Sequence, residues 1–350
     1  MRYIDVYRQV KSDILSGKYA ANSRLPYVVE LMRLFCAGKC TIQHALNLLK
    51  KEGLVQGVQS KGTFVRQLNE IPVYNSSKRV DRIGFLSLVD FIGGMSLPYF
   101  AEICIGATSE LQQNALPYFL IGCNNKTIFE VIKEINSLEL NGLITIELDN
   151  DIFRREIECL PMPVVHVDML DFNCKGRMIV GNNIQGGELA LRKLFILGHK
   201  KILYLNHYST RRKRIEPMGK IRWEGIKKEA EKIRLTGVVH RAVSMEKEKA
   251  EKEIDLFLGK YKDCTGLIVS SSILFNYVKA VLERRPKQET KDFDVVVFEC
   301  FNSPEYINEK PVLSCQWDGK LMGRTAVNTL LKKGKEYPKI QYLPMFLQTP

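Results

Sequence analysis

Gly53-Leu54-Val55 and Ser60-Lys61-Gly62-Thr63-Phe64-Val65 close the first 66 residues and decide how that stretch folds. Short apolar runs on either side of a glycine-containing turn predict a two-stranded wing, with strands from Leu54 to Val58 and from Thr63 to Val65. Three segments before the wing repeat apolar residues at helical spacing. Their stripes are Val6, Val10 and Ile14, then Leu31, Met32 and Phe35, then Ile42, Ala45, Leu46 and Leu49. Three helices followed by a wing predict a winged helix-turn-helix, a fold that presents its third helix to the major groove of DNA.

Glycine and proline mark the ends of these helices. Gly17 ends the first, Leu25-Pro26 opens the second, Cys36-Ala37-Gly38 forms the turn, and Gly53 closes the third. Residues 1–70 hold 11 Lys and Arg against 5 Asp and Glu, so positive charge is concentrated at this end of the chain. That concentration favours a nucleic-acid partner.

The whole chain has 350 residues, which predicts two or three folded units. Its 52 basic against 39 acidic residues give a net charge of +13, and the alternative to a polyanionic partner is a basic protein with a solvated charged surface. Nine cysteines without a CxxC pair indicate a reducing compartment, and no metal site is expected because Cys36 and Cys40 lack partners at zinc spacing. With no signal-peptide pattern and no apolar run of about 18 residues, we expect a cytoplasmic protein.

The first 66 residues, the head, resemble the GntR family of bacterial transcription regulators along their whole length. In that family, arginines at the start of the second helix and on both sides of the turn into the third contact DNA. The matching positions here are Val29, Lys39 and Gln43. Lysine lacks the two-pronged guanidinium, and glutamine favours adenine, so the resemblance implies a different operator. The residues expected to face DNA are Tyr27, Gly38, Lys39, Thr41, Gln43, His44, Gln59, Lys61 and Gly62; His44 fits a solvated surface histidine equally well.

Residues 1–68 are therefore predicted to form the DNA-binding domain, residues 69–79 a linker, and residues 80–350 an α/β body. In the body, short apolar runs alternate with helical stretches, which predicts parallel sheets flanked by helices and a ligand at the carboxyl ends of the strands. The predicted strands are 83–89, 117–121, 142–146, 163–167, 201–205, 265–269 and 294–298, with a helix near 98–113.

The body resembles the effector domain of LacI/GalR regulators, which has the two lobes of a periplasmic sugar-binding protein. The strings that carry the resemblance are Pro98-Tyr99-Phe100-Ala101-Glu102, Asn141-Gly142-Leu143-Ile144, Asn182-Asn183, Leu197-Gly198-His199-Lys200-Lys201-Ile202, Arg222 with Gly225, and Met322-Gly323-Arg324. It implies a first lobe of about 80–182 and 315–334 and a second of about 183–314 and 335–350. Joined to a GntR-type head, this is an arrangement similar to arabinose-type repressors.

By the same resemblance an effector lies between the lobes. The family's cleft arginine falls on Arg222, and its carboxylates fall on Asp168 and Glu299; such groups hold adjacent sugar hydroxyls. Ser271 and Ser272 replace the family's Asn-Asp pair. The remaining candidates are Asp90, Phe91, Phe100 and Trp317, the last of which fits a buried core tryptophan equally well. Arg211-Arg212-Lys213-Arg214 are either a phosphate-binding loop for a sugar phosphate or a solvated basic loop.

The predicted function is a DNA-binding regulator, a homodimer on double-stranded DNA, controlled by a sugar or sugar phosphate and without a cofactor. An enzyme is disfavoured because GxxxxGK[ST], HExxH and GxSxG are all absent from the sequence. A transport binding protein is disfavoured by the missing signal peptide. A ligand sensor whose head binds a protein stays open, because Val29 and Gln43 depart from the family's pattern.

Overall fold

The computed structural model describes most of the chain. The described residues are 2–15, 18–20, 22–51, 54–58, 61–66, 80–148, 150–209, 214–299, 303–332 and 338–349.

The head is the predicted winged helix-turn-helix. Its elements are α1 (Tyr3–Leu15), α2 (Val28–Phe35), α3 (Lys39–Lys51), β1 (Val55–Val58) and β2 (Gly62–Val65). The predicted stripes form one core, in which Val10, Leu31 and Ile42 are fully buried. The strands pair antiparallel as the wing. Gly17 and Gly53 lie outside the described residues.

The body begins with a parallel sheet. Its elements in chain order are β3 (Ile83–Ser87), α4 (Phe91–Gly94), α5 (Pro98–Gln113), β4 (Tyr118–Gly122), α6 (Ile128–Ser137), β5 (Gly142–Ile146), α7 (Asp151–Glu158), β6 (Val164–Val167) and β7 (Arg177–Gly181). The strands β3, β5 and β6 are buried along their whole length because helices cover both faces, which explains their unbroken apolar runs.

A second sheet follows. Its elements are α8 (Asn183–Ile196), β8 (Ile202–Ser209), β9 (Arg214–Ile215), α9 (Pro217–Lys232), β10 (Val238–Ser244), α10 (Lys247–Lys260), β11 (Gly266–Val269), α11 (Ser272–Arg284), α12 (Lys287–Thr290), β12 (Asp294–Phe298), β13 (Tyr306–Ile307), β14 (Lys310–Pro311) and β15 (Leu313–Trp317). The strands β10, β8, β11, β12 and β15 lie side by side and parallel.

The last elements cross between the two lobes. They are α13 (Gly319–Leu331), β16 (Ile340–Leu343) and β17 (Met345–Gln348). Strand β16 joins β7 at the edge of the first sheet, whose order is β16-β7-β6-β5-β3-β4, while β17 pairs antiparallel with β15 in the second. The expectation that residues 335–350 lie wholly in the second lobe is therefore corrected: Ile340–Leu343 belong to the first, because they continue its parallel ladder. Within the described residues, no helix is both long and apolar enough to cross a membrane.

Candidate functional site

A cleft of about 410 Å³ lies between the two sheets of the body. Glu147 and Asp168 reach it from the first sheet, directly after β5 and β6. From the second sheet, Ser270–Ser272 follow β11 and Glu299 follows β12. The carboxyl ends of parallel strands are where α/β proteins bind ligands, so the topology itself creates this site. The lining residues are Val89, Leu97, Tyr99, Glu147, Asp168, Met169, Leu170, His207, Glu216, Pro217, Met218, Arg222, Met245, Ser270, Ser271, Ser272, Ile273 and Glu299.

Arg222 is the cationic group of the cleft, and it is anchored from two sides. The side chain projects from α9 and is only 4% exposed. Its Nε donates to Asn183 Oδ1 at 2.8 Å, and its Nη1 donates to the carbonyl oxygen of Ser270. The guanidinium carbon stacks 4.5 Å from the centre of the Phe298 ring. These contacts fix the guanidinium plane and leave Nη2 without a hydrogen-bond partner among the described residues, so it can donate to a ligand.

Two of the cleft carboxylates accept hydrogen bonds from the surrounding protein. Glu216 caps the start of α9, where its carboxylate accepts from Met218 N at 2.8 Å and from Gly219 N. Glu299 Oε2 accepts from Ser272 Oγ at 2.7 Å and from Ser272 N at 3.2 Å. Ser272 thus both lines the cleft and donates hydrogen bonds to Glu299.

The remaining carboxyls are shaped by burial and by each other. Burial, with repulsion from Asp168, raises the pKa of Glu147 to about 8, although the Tyr99 hydroxyl donates to it. Burial likewise raises the pKa of Asp168 to about 7, against the attraction of Arg222. The pKa of Glu299 is also raised, again mainly by burial. Burial lowers the pKa of His207, which keeps that ring neutral. Burial thus raises the pKa of three of the cleft carboxyls, those of Glu147, Asp168 and Glu299.

Five of the predicted effector residues line the cleft, namely Asp168, Arg222, Ser271, Ser272 and Glu299. Ser271 also caps α11, because its Oγ accepts from Leu274 N at 3.2 Å.

Four predicted effector residues lie elsewhere and are corrected here. Asp90 caps α4, accepting from Gly93 N at 3.0 Å. Phe91 and Phe100 pack against each other with ring centres 5.6 Å apart, inside the core that joins helices to the first sheet. Trp317 is 4% exposed and belongs to the same core. Burial of the three aromatic rings in the core stabilises the fold, which accounts for their position there and not in the cleft.

The sequence reasoning missed several cleft residues, above all Tyr99, Glu147, His207, Glu216 and Ser270. Glu147 had a signal, because it directly follows the predicted strand 142–146 just as Asp168 follows 163–167. Tyr99 lies inside a string that carries the family resemblance, but the predicted effector-binding residue in that string is its neighbour Phe100. Glu216 precedes Pro217 at a helix start, which is the position of a capping residue.

Several of the predicted DNA-facing residues lie on α3 and in the turn before it. Gly38, Lys39, Gln43 and His44 are exposed, and Thr41 is half-buried. Lys39 and Gln43 are one helical turn apart, so they share a face. His44 stacks on Tyr3, with ring centres 4.3 Å apart, which holds the imidazole against α1.

The wing approaches the start of α2. Gly62 has a φ of +113°, which favours glycine at the turn beside the exposed Lys61. A Cβ on Gly62 would lie 3.3 Å from Arg24 Cδ, so wing and α2 meet there. Arg24 stacks on the Tyr27 ring at 4.1 Å and donates to its hydroxyl. Arg24 is therefore a cation beside a predicted DNA-facing residue, although it was not itself predicted to face DNA. Gln59 and residues 211–213 lie outside the described residues.

One group of metal-ligand types occurs in the first lobe. The ligand atoms of Glu158, His166 and Cys174 lie within 4.8 Å of one another. Glu158 Oε1 accepts from the Cys174 thiol and lies 2.9 Å from His166 Nε2, while His166 Nδ1 lies 2.7 Å from Thr145 Oγ1. These hydrogen bonds lower the pKa of Glu158 to about 2, and burial raises the pKa of Cys174 to about 12. The group satisfies its own polar atoms, which is how a buried polar network stabilises a fold.

The head matches a known family. Residues 2–65 fit the model of the gntR family of bacterial regulatory proteins. This confirms the predicted winged helix-turn-helix and its resemblance.

Two comparisons extend to the body. The chain is 25% identical over 211 residues to the arabinose metabolism transcriptional repressor of Geobacillus stearothermophilus, covering 57% of this chain and 55% of that protein. It therefore spans about half the length of the curated relatives it matches. It is also 27% identical over 157 residues to the transcriptional regulator TreR of Bacillus subtilis, covering 44% of this chain and 60% of that protein.

Solved structures confirm the fold of the body. The chain superposes on the transcriptional regulator CelR in complex with cellobiose with a TM-score of 0.62 at 16% identity, covering 93% of this chain and 98% of that one. The predicted combination of a head that matches the gntR model with a two-lobed α/β body is thus confirmed.

Proposed function

We propose that this chain is a transcription regulator whose affinity for a DNA operator is set by a small carbohydrate bound in the cleft. The observation that carries the proposal is the pairing of a helix-turn-helix head with a separate cleft, where polar groups of two lobes converge on one volume. The relative named as an arabinose metabolism repressor and the cellobiose complex of CelR support a carbohydrate as the effector class. The arabinose repressor, TreR and CelR are all named as transcription regulators, which favours a non-enzymatic role.

The head has the chemistry of a DNA-binding surface. Lys39 and Lys61 supply cations for phosphates, and Gln43 supplies the paired donor and acceptor that recognise adenine in the major groove. Arg24 adds a guanidinium at the junction of α2 and the wing. Val29 is 57% exposed and contributes no charge, so the phosphate contribution rests on these other residues.

The cleft has the chemistry of a carbohydrate site. Arg222 and the carboxyls offer charge-assisted hydrogen bonds to hydroxyl groups. Leu97, Met169 and Met218 offer apolar surface to the ring faces of a sugar. A sugar phosphate is less suited to it, because carboxyls outnumber the single arginine among the described lining residues.

Communication between cleft and head is proposed to follow from closure of the two lobes. The chain crosses between the lobes at Asn182, Asp318 and Pro344, so bending at these points brings Glu147 and Asp168 toward Ser270–Ser272 and Glu299. A ligand that contacts both sides favours the closed state over the open one. In a homodimer on a two-fold operator, this shift changes the spacing of the two heads. The proposed units remain a head of 1–68, a linker of 69–79 and an effector body of 80–350.

Fluorescence anisotropy of the full chain on labelled duplexes from its own upstream region tests the proposal. We expect an upstream duplex to bind at least about 1,000-fold more tightly than a scrambled duplex at the same salt concentration. Pentoses, hexoses, disaccharides and sugar phosphates are then titrated in turn, and one is expected to change operator affinity by at least about fivefold. Equal binding of both duplexes, with a shallow salt dependence, would instead support a head that binds protein.

Asp168→Asn separates effector binding from DNA binding. Asparagine has the same shape and tolerates the positive φ of 54° at this position, so the fold should be kept. We expect the effector to bind at least about tenfold more weakly, because a charge-assisted hydrogen bond is lost, while operator affinity without effector changes less than about twofold. Asp263→Asn removes an exposed carboxylate paired with Lys201 and is the matched control. An unchanged effector response in Asp168→Asn would contradict the assignment of the cleft.

A further inference from the structure

The cleft holds more carboxyl groups than its one cation can pair with. Glu147, Asp168, Glu216 and Glu299 all line it, whereas Arg222 is the sole lysine or arginine among its described lining residues. Glu147 and Asp168 directly follow strands, and Glu216 directly precedes helix α9. The topology of the fold therefore places these carboxyls at one cleft. A ligand of neutral hydroxyls alone leaves this excess uncompensated.

Arg222 is already committed to neutral partners. It bonds to Asn183 Oδ1 and to the Ser270 carbonyl oxygen, and it stacks on Phe298. Among the described residues, no carboxylate oxygen lies within the 4.0 Å of an ion pair with its guanidinium. Arg222 therefore attracts Asp168 and Glu299 from a distance without neutralising either.

The carboxyls differ in how far the protein satisfies them. Glu216 and Glu299 accept hydrogen bonds from backbone and serine groups. The side chain of Asp168 has no hydrogen-bond or ion-pair partner among the described residues, and Glu147 accepts only from the Tyr99 hydroxyl. Glu147 and Asp168 belong to neighbouring strands of one sheet, β5 and β6. Among the described cleft carboxyls, these two accept the fewest hydrogen bonds from the protein, which leaves them the most acceptor capacity for a ligand.

The raised pKa values of Glu147 and Asp168 also favour a cationic ligand. The pKa of Glu147 is raised to about 8 and that of Asp168 to about 7, with burial as the main cause and mutual repulsion as the second for Glu147. The groups that face them are Tyr99, Glu216, Glu299, His207 and Arg222, of which Arg222 alone is cationic, since burial keeps His207 neutral. A cation placed between the two carboxyls would ionise them and release protons, as a neutral hydroxyl would not.

We infer that the cleft takes a ligand bearing a protonated primary amine, such as an amino sugar, with Glu147 and Asp168 holding the ammonium group. The inference rests on the proposed function for the location of the effector site and goes further in naming the charge of the ligand. The cleft volume of about 410 Å³ suits a small ligand, and its apolar side suits a sugar ring. An aliphatic diamine shares the ammonium chemistry, so the experiment separates these two sources.

Isothermal titration calorimetry on the full chain at pH 7 tests the inference with matched probes. The pairs are D-glucosamine with D-glucose, D-galactosamine with D-galactose, and 1,4-diaminobutane with 1,4-butanediol, while N-acetyl-D-glucosamine blocks the amine. We expect at least one amine to bind about tenfold or more tightly than its hydroxyl partner, and to release protons, so that its apparent heat changes with the ionisation enthalpy of the buffer. A hexosamine response identifies an amino sugar, and a diamine response identifies the aliphatic source.

Glu147→Gln provides the variant. We expect it to weaken binding of the amine at least about tenfold, to weaken binding of the hydroxyl partner by a smaller factor, and to reduce the proton release that accompanies amine binding. Glu224→Gln, which removes an exposed carboxylate on the same helix as Arg222 but outside the cleft, is expected to change neither. Hydroxyl partners that bind as tightly as the amines, or a panel in which no amine binds, would overturn the inference.

The two proposals fail in distinguishable ways. A neutral sugar that binds the cleft and changes operator affinity would keep the proposed function and remove the ammonium inference. An amine that binds the cleft without changing operator affinity would keep the inference and remove the regulatory coupling.

Discussion

At the scale of single residues, the cleft carboxylates share an unusual backbone conformation. Glu147, Asp168 and Glu299 have φ values of 49°, 54° and 86°. Residues other than glycine seldom adopt positive φ, and doing so costs roughly 1–3 kcal/mol. Each of the three directly follows a strand. The positive φ makes the chain turn sharply at that point, and the turn accompanies the placement of the residue at the cleft. Three strained acids around one volume are a stronger sign of a binding site than any one of them.

Removing the charge of Glu147 should stabilise the protein at high pH. The folded-state pKa of about 8 lies above the usual value of 4.5. Below pH 4.5 both states are protonated, and above it the unfolded state ionises first, so this group lowers the free energy of unfolding as pH rises toward 8. Glu147→Gln should thus raise that free energy at pH 8 by at least about 1 kcal/mol, roughly one pKa unit, and much less at pH 5.

Urea unfolding of both proteins at the two pH values measures this difference. Glu224→Gln, at an exposed site, is the control and should show no pH-dependent gain. A Glu147→Gln variant that is equally destabilised at both pH values would mean that the carboxyl is ionised and satisfied in the folded protein.

Gln43 and Lys61 should affect DNA binding in different ways. Gln43 is exposed on α3, where it can contact a base edge, and Lys61 is exposed at the wing, where it can contact phosphates. Gln43→Ala is expected to lose about 1–3 kcal/mol of discrimination at one base position, whereas Lys61→Ala should weaken all sequences alike and lower the salt slope by about 1. Anisotropy on a set of single-base operator variants over a salt series measures both. A uniform loss in Gln43→Ala would remove it from base recognition.

Residue identity alone predicted some of the cleft but not all of it. Asp168, Arg222 and Glu299 could be placed because they stand at positions that the resemblance marks, and Asp168 and Glu299 also follow strands. Phe91 and Phe100 could not be told from ring-stacking residues, because only packing reveals that their rings meet each other inside the core. Glu147 was not predicted although it follows a strand, because nothing local to the sequence shows that it lines the same cleft as Asp168.

At the scale of elements, each lobe is built around two helices that touch through glycine. In the first lobe, Gly106 of α5 and Gly323 of α13 face the opposite helix, and a Cβ on Gly323 would lie 2.1 Å from the Ile103 carbonyl oxygen. In the second lobe, a Cβ on Gly187 of α8 would lie 2.1 Å from the carbonyl oxygen of Arg222 on α9. That second contact also sets the position of Arg222, so helix packing and ligand geometry depend on the same glycine.

Gly323→Ala should separate α5 from α13. The new methyl group has backbone atoms in its way on both the Ile103 and the Ala107 side, so the helices must move apart. We expect a loss of about 1–3 kcal/mol in the free energy of unfolding. Gly122→Ala is the control, because nothing lies within 4 Å of its added Cβ, and it should change stability by less than about 1 kcal/mol. Chemical denaturation compares them, and equal stabilities would show that the helices are not in close contact.

Buried elements with mostly apolar sequences were predicted more accurately than short, partly exposed ones. The strands β5 and β12 were predicted at their observed bounds because helices cover both of their faces and the apolar runs are unbroken. The strands β16 and β17 were not predicted, since they are short, partly exposed and joined by a single residue. Their membership of different sheets depends on pairing with β7 and β15, which lie far away in the sequence.

At the scale of the whole molecule, three crossings connect the lobes on one side of the cleft. Asn182 and Asp318 each cap the helix that follows, accepting from Gln185 N at 3.2 Å and from Leu321 N at 2.7 Å. Near the third crossing, Met345 N donates to Gln185 Oε1 at 3.0 Å. Two of the three crossings are therefore also capped helix starts, and these are points at which we propose that the chain bends. Such an arrangement allows the lobes to close as rigid units, the motion through which a cleft ligand can act on a distant head.

Reciprocity between the two sites is the most direct test of that coupling. The carbohydrate or amino sugar that most changes operator affinity is titrated calorimetrically into the free protein and into the protein saturated with operator duplex. Linkage requires the ratio of its two dissociation constants to equal the ratio of operator dissociation constants without and with ligand, and we expect both to be at least about fivefold. In Asp168→Asn the ligand should bind weakly to both forms. Equal ligand affinity for free and operator-bound protein would contradict control of the head by the cleft.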